Sequence, residues 1–107
     1  MDDETVRVDV SEGSRGARLS GEIDMASYEE LLGALAPLFD GPGDVTLDLA
    51  EVSFVDSTAI RLFAQLQRSR TGEDHVILVS PQPHVARVLE VAGVSDLGIR
   101  IKGREDV

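Results

Sequence analysis

The feature that most constrains this chain is a change of hydrophobic period partway along it. Val6, Val8 and Val10 alternate with polar residues, the period of two that marks a half-buried strand. Ser11 to Gly16 holds two glycines and two serines, a turn composition, and Ala17 to Ile23 resumes the extended pattern. The two segments predict a β-hairpin. From Tyr28 the period lengthens. Tyr28, Leu31, Leu32, Leu35, Leu38 and Phe39 recur at helical spacing, and Ser27 with Glu30 matches a Ser-x-x-Glu capping box at the helix start. Pro37 is expected to tighten or kink the last turn, since it cannot donate to the helix ladder. Asp40-Gly41-Pro42-Gly43-Asp44 is a stop and a turn.

The alternation of strand and helix patterns then continues. Val45, Leu47 and Leu49 predict a third strand, and Glu51 to Val55 leads into a second helix. Its inner face is Ala59, Ile60, Phe63 and Leu66, its wet side Arg61, Gln65, Arg68 and Arg70, and Gly72 closes it. Val76 to Val79 is an unbroken apolar run, the pattern of a central strand covered on both faces. After the Ser80-Pro81-Gln82-Pro83 loop, Val85, Val88, Leu89 and Ala92 make a third helical stripe ending at Gly93, placed as a C-cap. Ile99 and Ile101 supply a last short strand. The expected fold is α/β: a single mixed β-sheet with an initial hairpin, followed by alternating β/α units whose helices pack on the sheet. At 107 residues the chain suits one domain over 1–107.

Charge and composition narrow the function. With 42% apolar residues the chain can bury a core without staples, and its lack of cysteine excludes thiol nucleophiles and cysteine-ligated zinc. Twenty acidic residues against ten basic ones give a net charge of −10, which argues against nucleic acid and anionic membrane, because phosphate binding needs clustered Lys and Arg. The expected partner is a protein with a neutral or basic face. The acidic start, Met1-Asp2-Asp3-Glu4, is unlike a signal peptide, and no apolar run approaches membrane-spanning length. A cytoplasmic location is expected.

Tests for catalytic chemistry return bland readings. His75 and His84 fall in a turn and beside a helix start, lack partners at metal-ligand spacing and read as solvated loop histidines. Gly41-Pro42-Gly43 lacks the third glycine, or the Lys-Ser/Thr pair, of a phosphate loop. Asp48 and Glu51 suggest paired carboxylates, but Asp48 is explained as a polar strand position. No Gly-x-Ser-x-Gly elbow occurs. No enzyme, cofactor or metal is expected.

One segment stands out: Phe54-Val55-Asp56-Ser57-Thr58-Ala59-Ile60 places an Asp-Ser-Thr triplet where an extended run turns into a helix. In one reading Asp56 or Ser57 simply caps the helix, contributing about 0.5–2 kcal/mol. In the other, the same geometry exposes a hydroxyl at the positive end of a helix, where a phosphate adds about −1.5 to −2 charges without disturbing the fold. Beside Asp56 this makes a dense anionic knob. Two unit charges about 5 Å apart at an effective dielectric near 20 interact by roughly 3 kcal/mol before screening, against the roughly 1.4 kcal/mol that changes affinity tenfold.

Three blocks of the chain resemble the STAS domain family, especially the free-standing bacterial anti-sigma factor antagonists. Leu19-Ser20-Gly21-Glu22-Ile23-Asp24 is similar to the family's Gly-Glu-Leu/Ile-Asp segment. Leu47 to Ser57 is similar to its central Asp-Leu-Ser-x-Val-x-Phe-x-Asp-Ser signature. Val79-Ser80-Pro81 with Val85, Val88, Leu89 and Ala92-Gly93-Val94 resembles its fourth strand and third helix. The resemblance implies a partner switch. Ser57, with Thr58 as the alternative, would be phosphorylated by a serine-kinase anti-sigma factor. The unmodified chain would bind that partner and free a sigma factor, and a serine phosphatase would reset the cycle. By the same carry-over Asp24, Asp56 and Thr58 line the partner-facing surface, Gly21 and Glu22 shape the neighbouring loop, and Ser80 and Pro81 border it. Glu22, Asp24 and Asp56 are expected to crowd around Ser57. A monomer or weak dimer is expected. The chain departs from the pattern at Ala59, where glycine is usual, and at Arg61, where small residues are common. This places a methyl and a cation near Ser57 that bear on partner fit. The alternative implied by the same family is a STAS adaptor that is not phosphorylated, within a transport or stress-sensing assembly.

Overall fold

In the computed structural model, residues 6–10 (backbone only) and 15–103 are described. The Ser11–Ser14 part of the expected turn, the side chains of Val6, Val8 and Val10, and the charged tail lie outside the described residues. Five strands form one sheet in sequential order: β1 (Val6–Val10), β2 (Gly16–Ile23), β3 (Val45–Val55), β4 (Val76–Val79) and β5 (Arg100–Lys102). β1 pairs antiparallel with β2, and every later pair is parallel. The expected mixed sheet with an initial hairpin and crossovers is therefore present. Three α-helices make those crossovers: α1 (Tyr28–Leu35), α2 (Ser57–Arg68) and α3 (Pro83–Ala92).

Sequential strand order has a consequence for burial. Right-handed crossovers that always step the same way lay their helices on the same side of the sheet. On β3, Val45, Leu47 and Leu49 are buried while Thr46 is exposed. On β4, Val76 and Leu78 are buried but Ile77 and Val79 are only half-buried. β4 is thus covered on one face, not on both as its apolar run predicted. The core lies between that face and the helices, where Leu31 and Leu35 of α1, Leu62, Phe63 and Leu66 of α2 and Leu89 of α3 are all buried.

β3 is longer than its alternation predicts, because it contains two register slips against β2. Arg18 pairs with Asp48 but Ser20 with Glu51, and Gly21 pairs with Val52 but Glu22 with Phe54. Each slip inserts one extra β3 residue, a β-bulge. The buried positions therefore run Val45, Leu47, Leu49, Val52, Val55, with the later steps stretched from two residues to three. Two extra residues make one full side-chain period, so Val55 returns to the core face before the chain enters α2. Glu51 to Val55, expected as a lead-in, is strand.

Each bulge is tied down by polar side chains. At the first, the Ala50 N–H donates to Asp48 Oδ1 (2.9 Å) and the Ala50 carbonyl accepts from Gln82 Nε2 (3.0 Å). At the second, the Ser53 carbonyl accepts from His84 Nε2 (2.6 Å) and the Ser53 hydroxyl donates to Gly21 O (3.4 Å). Gly21 takes φ 92° there, a conformation open to glycine at little cost. Asp48 is thus a bulge ligand, also facing Arg18 at 3.9 Å. His84 lies in the first turn of α3 and holds the second bulge, so it is no free loop histidine. His75 is also engaged, with Nδ1 2.6 Å from the Gly98 carbonyl.

Two other expectations change. Ser27 does not cap α1 with its side chain. It is buried and serves a 3₁₀ turn, Met25–Ser27, capped by Asp24, so the capping box is Asp24 with Ser27. Arg70 is not on the wet side of α2: the helix ends at Arg68, and Arg70 is only 8% exposed. Its guanidinium donates to the carbonyls of Gly43 (2.7 Å), Phe39 (2.9 Å) and Leu38 (3.0 Å), closing the loop between Pro37 and β3. Pro37 itself sits in a tight 3₁₀ turn, Ala36–Phe39, which selects tightening from the two expectations. Gly93 ends α3 in the left-handed conformation (φ 76°) predicted for a C-cap.

Candidate functional site

The parallel pairing of β2 with β3 places Ile23 beside Val55. The residues that follow each strand therefore emerge together at one end of the sheet: Asp24 after β2, then Asp56, Ser57 and Thr58 after β3. A backbone bond from the Asp56 N–H to the Ile23 carbonyl (3.2 Å) ties the two exits. The central sheet position of β3, flanked by β2 and β4, fixes where α2 begins.

Both aspartates are committed to local backbone. Asp56 is the N-cap of α2, and its Oδ1 accepts from the Thr58 N–H at 2.8 Å. Asp24 Oδ1 accepts from the N–H groups of Ala26 (3.1 Å) and Ser27 (3.3 Å). Ser27 reciprocates: its hydroxyl accepts from the Asp24 N–H (3.1 Å) and has the Asp24 and Glu22 carbonyls within reach as acceptors (3.1 and 3.3 Å). Between the two alternatives for the helix cap, the geometry selects Asp56. Ser57 is left as the first residue of α2, exposed, and its hydroxyl makes no hydrogen bond among the described residues. Glu22 is exposed one residue behind the exit, opposite Phe54.

Ser57 borders a groove of about 320 Å³ between α2 and α3, lined by Ser57, Ile60, Arg87, Val88, Val91 and Ala92. Its α3 wall is apolar and open, with Val91 80% exposed and Val88 38% exposed. Val88 is expected from its spacing to face inward with Val85 and Leu89, and helical phase turns it outward beside Val91. Met25, 78% exposed, and Phe54, 46% exposed, belong to the β2 and β3 exits. Sequence reasoning missed this groove, because its walls are the flanks of two separate helices. An unpaired apolar Val88 and Val91 three residues apart is the only signal.

Ser80 and Pro81 do not join the groove. They line a separate hollow with Ala50, Gln82 and Pro83 at the first bulge. Ser80 adopts φ 57°, with its N–H donating to the Lys102 carbonyl at 2.7 Å. The methyl of Ala59 is fully buried in the core, so it does not reach the surface around Ser57. Arg61 is exposed and stacks on Tyr28, its guanidinium carbon 5.4 Å from the ring centroid, while the Tyr28 hydroxyl donates to Gln65 Oε1 (2.9 Å).

Residues 6–100 match the family model described as "Mlab, STAS domain". The chain belongs to the STAS domain family. Among curated relatives of this STAS domain are the anti-sigma-B factor antagonists of Staphylococcus epidermidis and of Staphylococcus aureus strain NCTC 8325, each 29% identical over 82 residues, covering 75% of this chain and 76% of the relative. The solved structure of the anti-sigma factor antagonist SpoIIAA in its unphosphorylated form superimposes with a TM-score of 0.64 at 21% identity, over 92% of this chain and 90% of that one. A Thermotoga maritima chain of the same proposed class gives 0.59 at 15% identity, over 90% and 84%. Those structures share the fold. No helix among the described residues is long and apolar enough to cross a membrane.

Proposed function

We propose that this STAS domain is an anti-sigma factor antagonist whose binding to a serine-kinase anti-sigma factor is switched off by phosphorylation on Ser57. One observation carries the reading: Ser57 is exposed at the first position of α2, its hydroxyl makes no hydrogen bond among the described residues, and it lies on the rim of an open apolar groove. The names of the Staphylococcus relatives and of SpoIIAA, solved in an unphosphorylated form, support it.

The mechanism follows from the local chemistry. The groove and the exit of Asp24, Asp56 and Thr58 form the docking face, and the unmodified chain engages the anti-sigma factor there, releasing a sigma factor. The kinase transfers the γ-phosphoryl of a nucleoside triphosphate. An O–P bond forms at Ser57 Oγ, the bond to the leaving diphosphate breaks, and the hydroxyl proton passes to the kinase's base or to solvent. Because Asp56 already caps α2, the phosphate does not have to replace a structural bond. It adds about −1.5 to −2 charges at the edge of the apolar surface, beside a carboxylate. Burying that charge in an interface without a cationic partner is strongly disfavoured. A serine phosphatase restores the hydroxyl by hydrolysis. The setting is cytoplasmic regulation of transcription, in stress response or sporulation.

The test uses the purified chain with a cognate kinase/anti-sigma factor, a nucleoside triphosphate, mass spectrometry and binding by calorimetry. The expected result is one phosphate, its loss in Ser57→Ala, and an affinity drop of at least tenfold on modification. Phosphate retained in Ser57→Ala but lost in Thr58→Ala moves the site to Thr58. Stable binding that ignores both ATP and Ser57→Asp overturns the switch in favour of a STAS adaptor subunit.

A further inference from the structure

Arg87 is a cation without an ion pair or hydrogen bond among the described residues, and it lines the same groove as Ser57. The two residues belong to different walls, Ser57 to α2 and Arg87 to α3, and share the groove with Ile60, Val88 and Val91. Arginine binds phosphate through a planar fork of paired N–H donors, whereas a serine hydroxyl offers it little. Among the described residues, nothing in the unmodified state therefore holds Arg87 at the groove. A phosphate on Ser57 creates a strong acceptor on the facing wall.

We propose that Arg87 captures the phosphate of phosphorylated Ser57 across the α2–α3 groove, so that modification closes the apolar docking surface from within. The inference rests on the Ser57 switch proposed above and adds its physical means: occlusion of the groove in addition to charge. Two neighbours compete. Arg61 stands one helical turn beyond Ser57, at the (i, i+4) spacing that permits pairing, but it already stacks on Tyr28. Glu90 stands three residues beyond Arg87 on α3 and is exposed, so it offers Arg87 only a solvated carboxylate, which a dianionic phosphate outcompetes. Asp56 faces the phosphate with like charge, and pairing with Arg87 relieves that repulsion.

Phosphoserine installed at position 57 during translation tests the capture without any kinase. In ³¹P NMR the second ionisation of free phosphoserine lies near pH 6, and a bound guanidinium favours the dianion. The capture lowers that midpoint in the parent chain by about half a unit or more, roughly a threefold shift, relative to Arg87→Gln. Arg87→Lys, which keeps the charge but loses the fork, falls between. An unchanged midpoint in Arg87→Gln, or a shift that appears only in Arg61→Gln, overturns the proposal. Partner binding then separates closure from charge, using the ratio of phosphorylated to unmodified affinity within each variant. Closure predicts that Arg87→Gln recovers at least about tenfold of the loss, because the groove reopens. Simple repulsion predicts a larger loss, because the phosphate is then unneutralised, and that result overturns closure. If the unmodified chain binds no anti-sigma factor, the switch reading fails while the NMR midpoint still decides the capture.

Discussion

The backbone N–H of Asp56 donates to the carbonyl of Ile23 at 3.2 Å, joining the exit of β3 to the exit of β2. That bond sets the Asp24 turn beside the start of α2. Asp56 therefore has two separable contributions, a cap from its side-chain oxygen and a negative charge beside Ser57. Asp56→Ala removes both and is expected to cost about 0.5–2 kcal/mol, the usual value of an N-cap. Asp56→Asn keeps an amide oxygen for the Thr58 N–H and is expected to stay within a few tenths of a kcal/mol of the parent. Urea denaturation of both checks this. Partner affinity that falls in Asp56→Asn despite preserved stability identifies the charge as a docking determinant.

Ser27 is buried and serves the Asp24 turn at several atoms. Ser27→Ala leaves the Asp24 N–H without its acceptor, so a loss of about 1–3 kcal/mol is expected. The denaturation midpoint should fall with an unchanged slope. A variant as stable as the parent shows that water replaces the hydroxyl.

Arg70 carries three backbone carbonyls, and Arg15 adds donors to Leu38 O and Asp40 O in the same loop. Arg70→Leu leaves Leu38 O to Arg15 but strands the Gly43 and Phe39 carbonyls, and is expected to destabilise by at least about 2 kcal/mol. Arg70→Lys keeps the charge but cannot span all three carbonyls, and is expected to fall between. Thermal unfolding of both variants orders them.

Two glycines predict opposite outcomes. At Gly33, on the exposed side of α1, an added Cβ meets nothing within 4 Å. Gly33→Ala should stabilise by about 0.5–1 kcal/mol through helix propensity and a less flexible unfolded chain. At Gly16 a Cβ would lie 2.6 Å from the Thr46 carbonyl oxygen, so Gly16→Ala must push β2 from β3 and is expected to cost about 1–3 kcal/mol. Melting temperatures that shift the same way in both variants contradict this account.

Much of the fold was legible because local signals and tertiary demands agree. The hairpin followed by β/α alternation, the tight turn at Pro37 and the Gly93 cap are local chemistry, and the chain forms them where its pattern says. β3 was not fully legible. A bulge is created by what the neighbouring strand pairs with, so a break in alternation after Leu49 looks from sequence like the end of the strand. The arginine at position 70 was misread for a related reason. Its partners are backbone carbonyls more than 25 residues away, and a carbonyl leaves no mark in a sequence.

By itself, the sequence determined the order of elements, the family and the chemical singularity of Asp56-Ser57-Thr58, because each depends on residue identity and short-range spacing. Tertiary structure alone decided which of those side chains is free. The capping geometry commits Asp24 and Asp56 to backbone amides and leaves the Ser57 hydroxyl without a hydrogen bond among the described residues. Packing buries Ala59, and the exit of β4 puts Ser80 and Pro81 at a different hollow. It also brings Arg87 to the groove that Ser57 borders. Such a juxtaposition depends on how two helices lie side by side on a sheet, which only long-range packing determines.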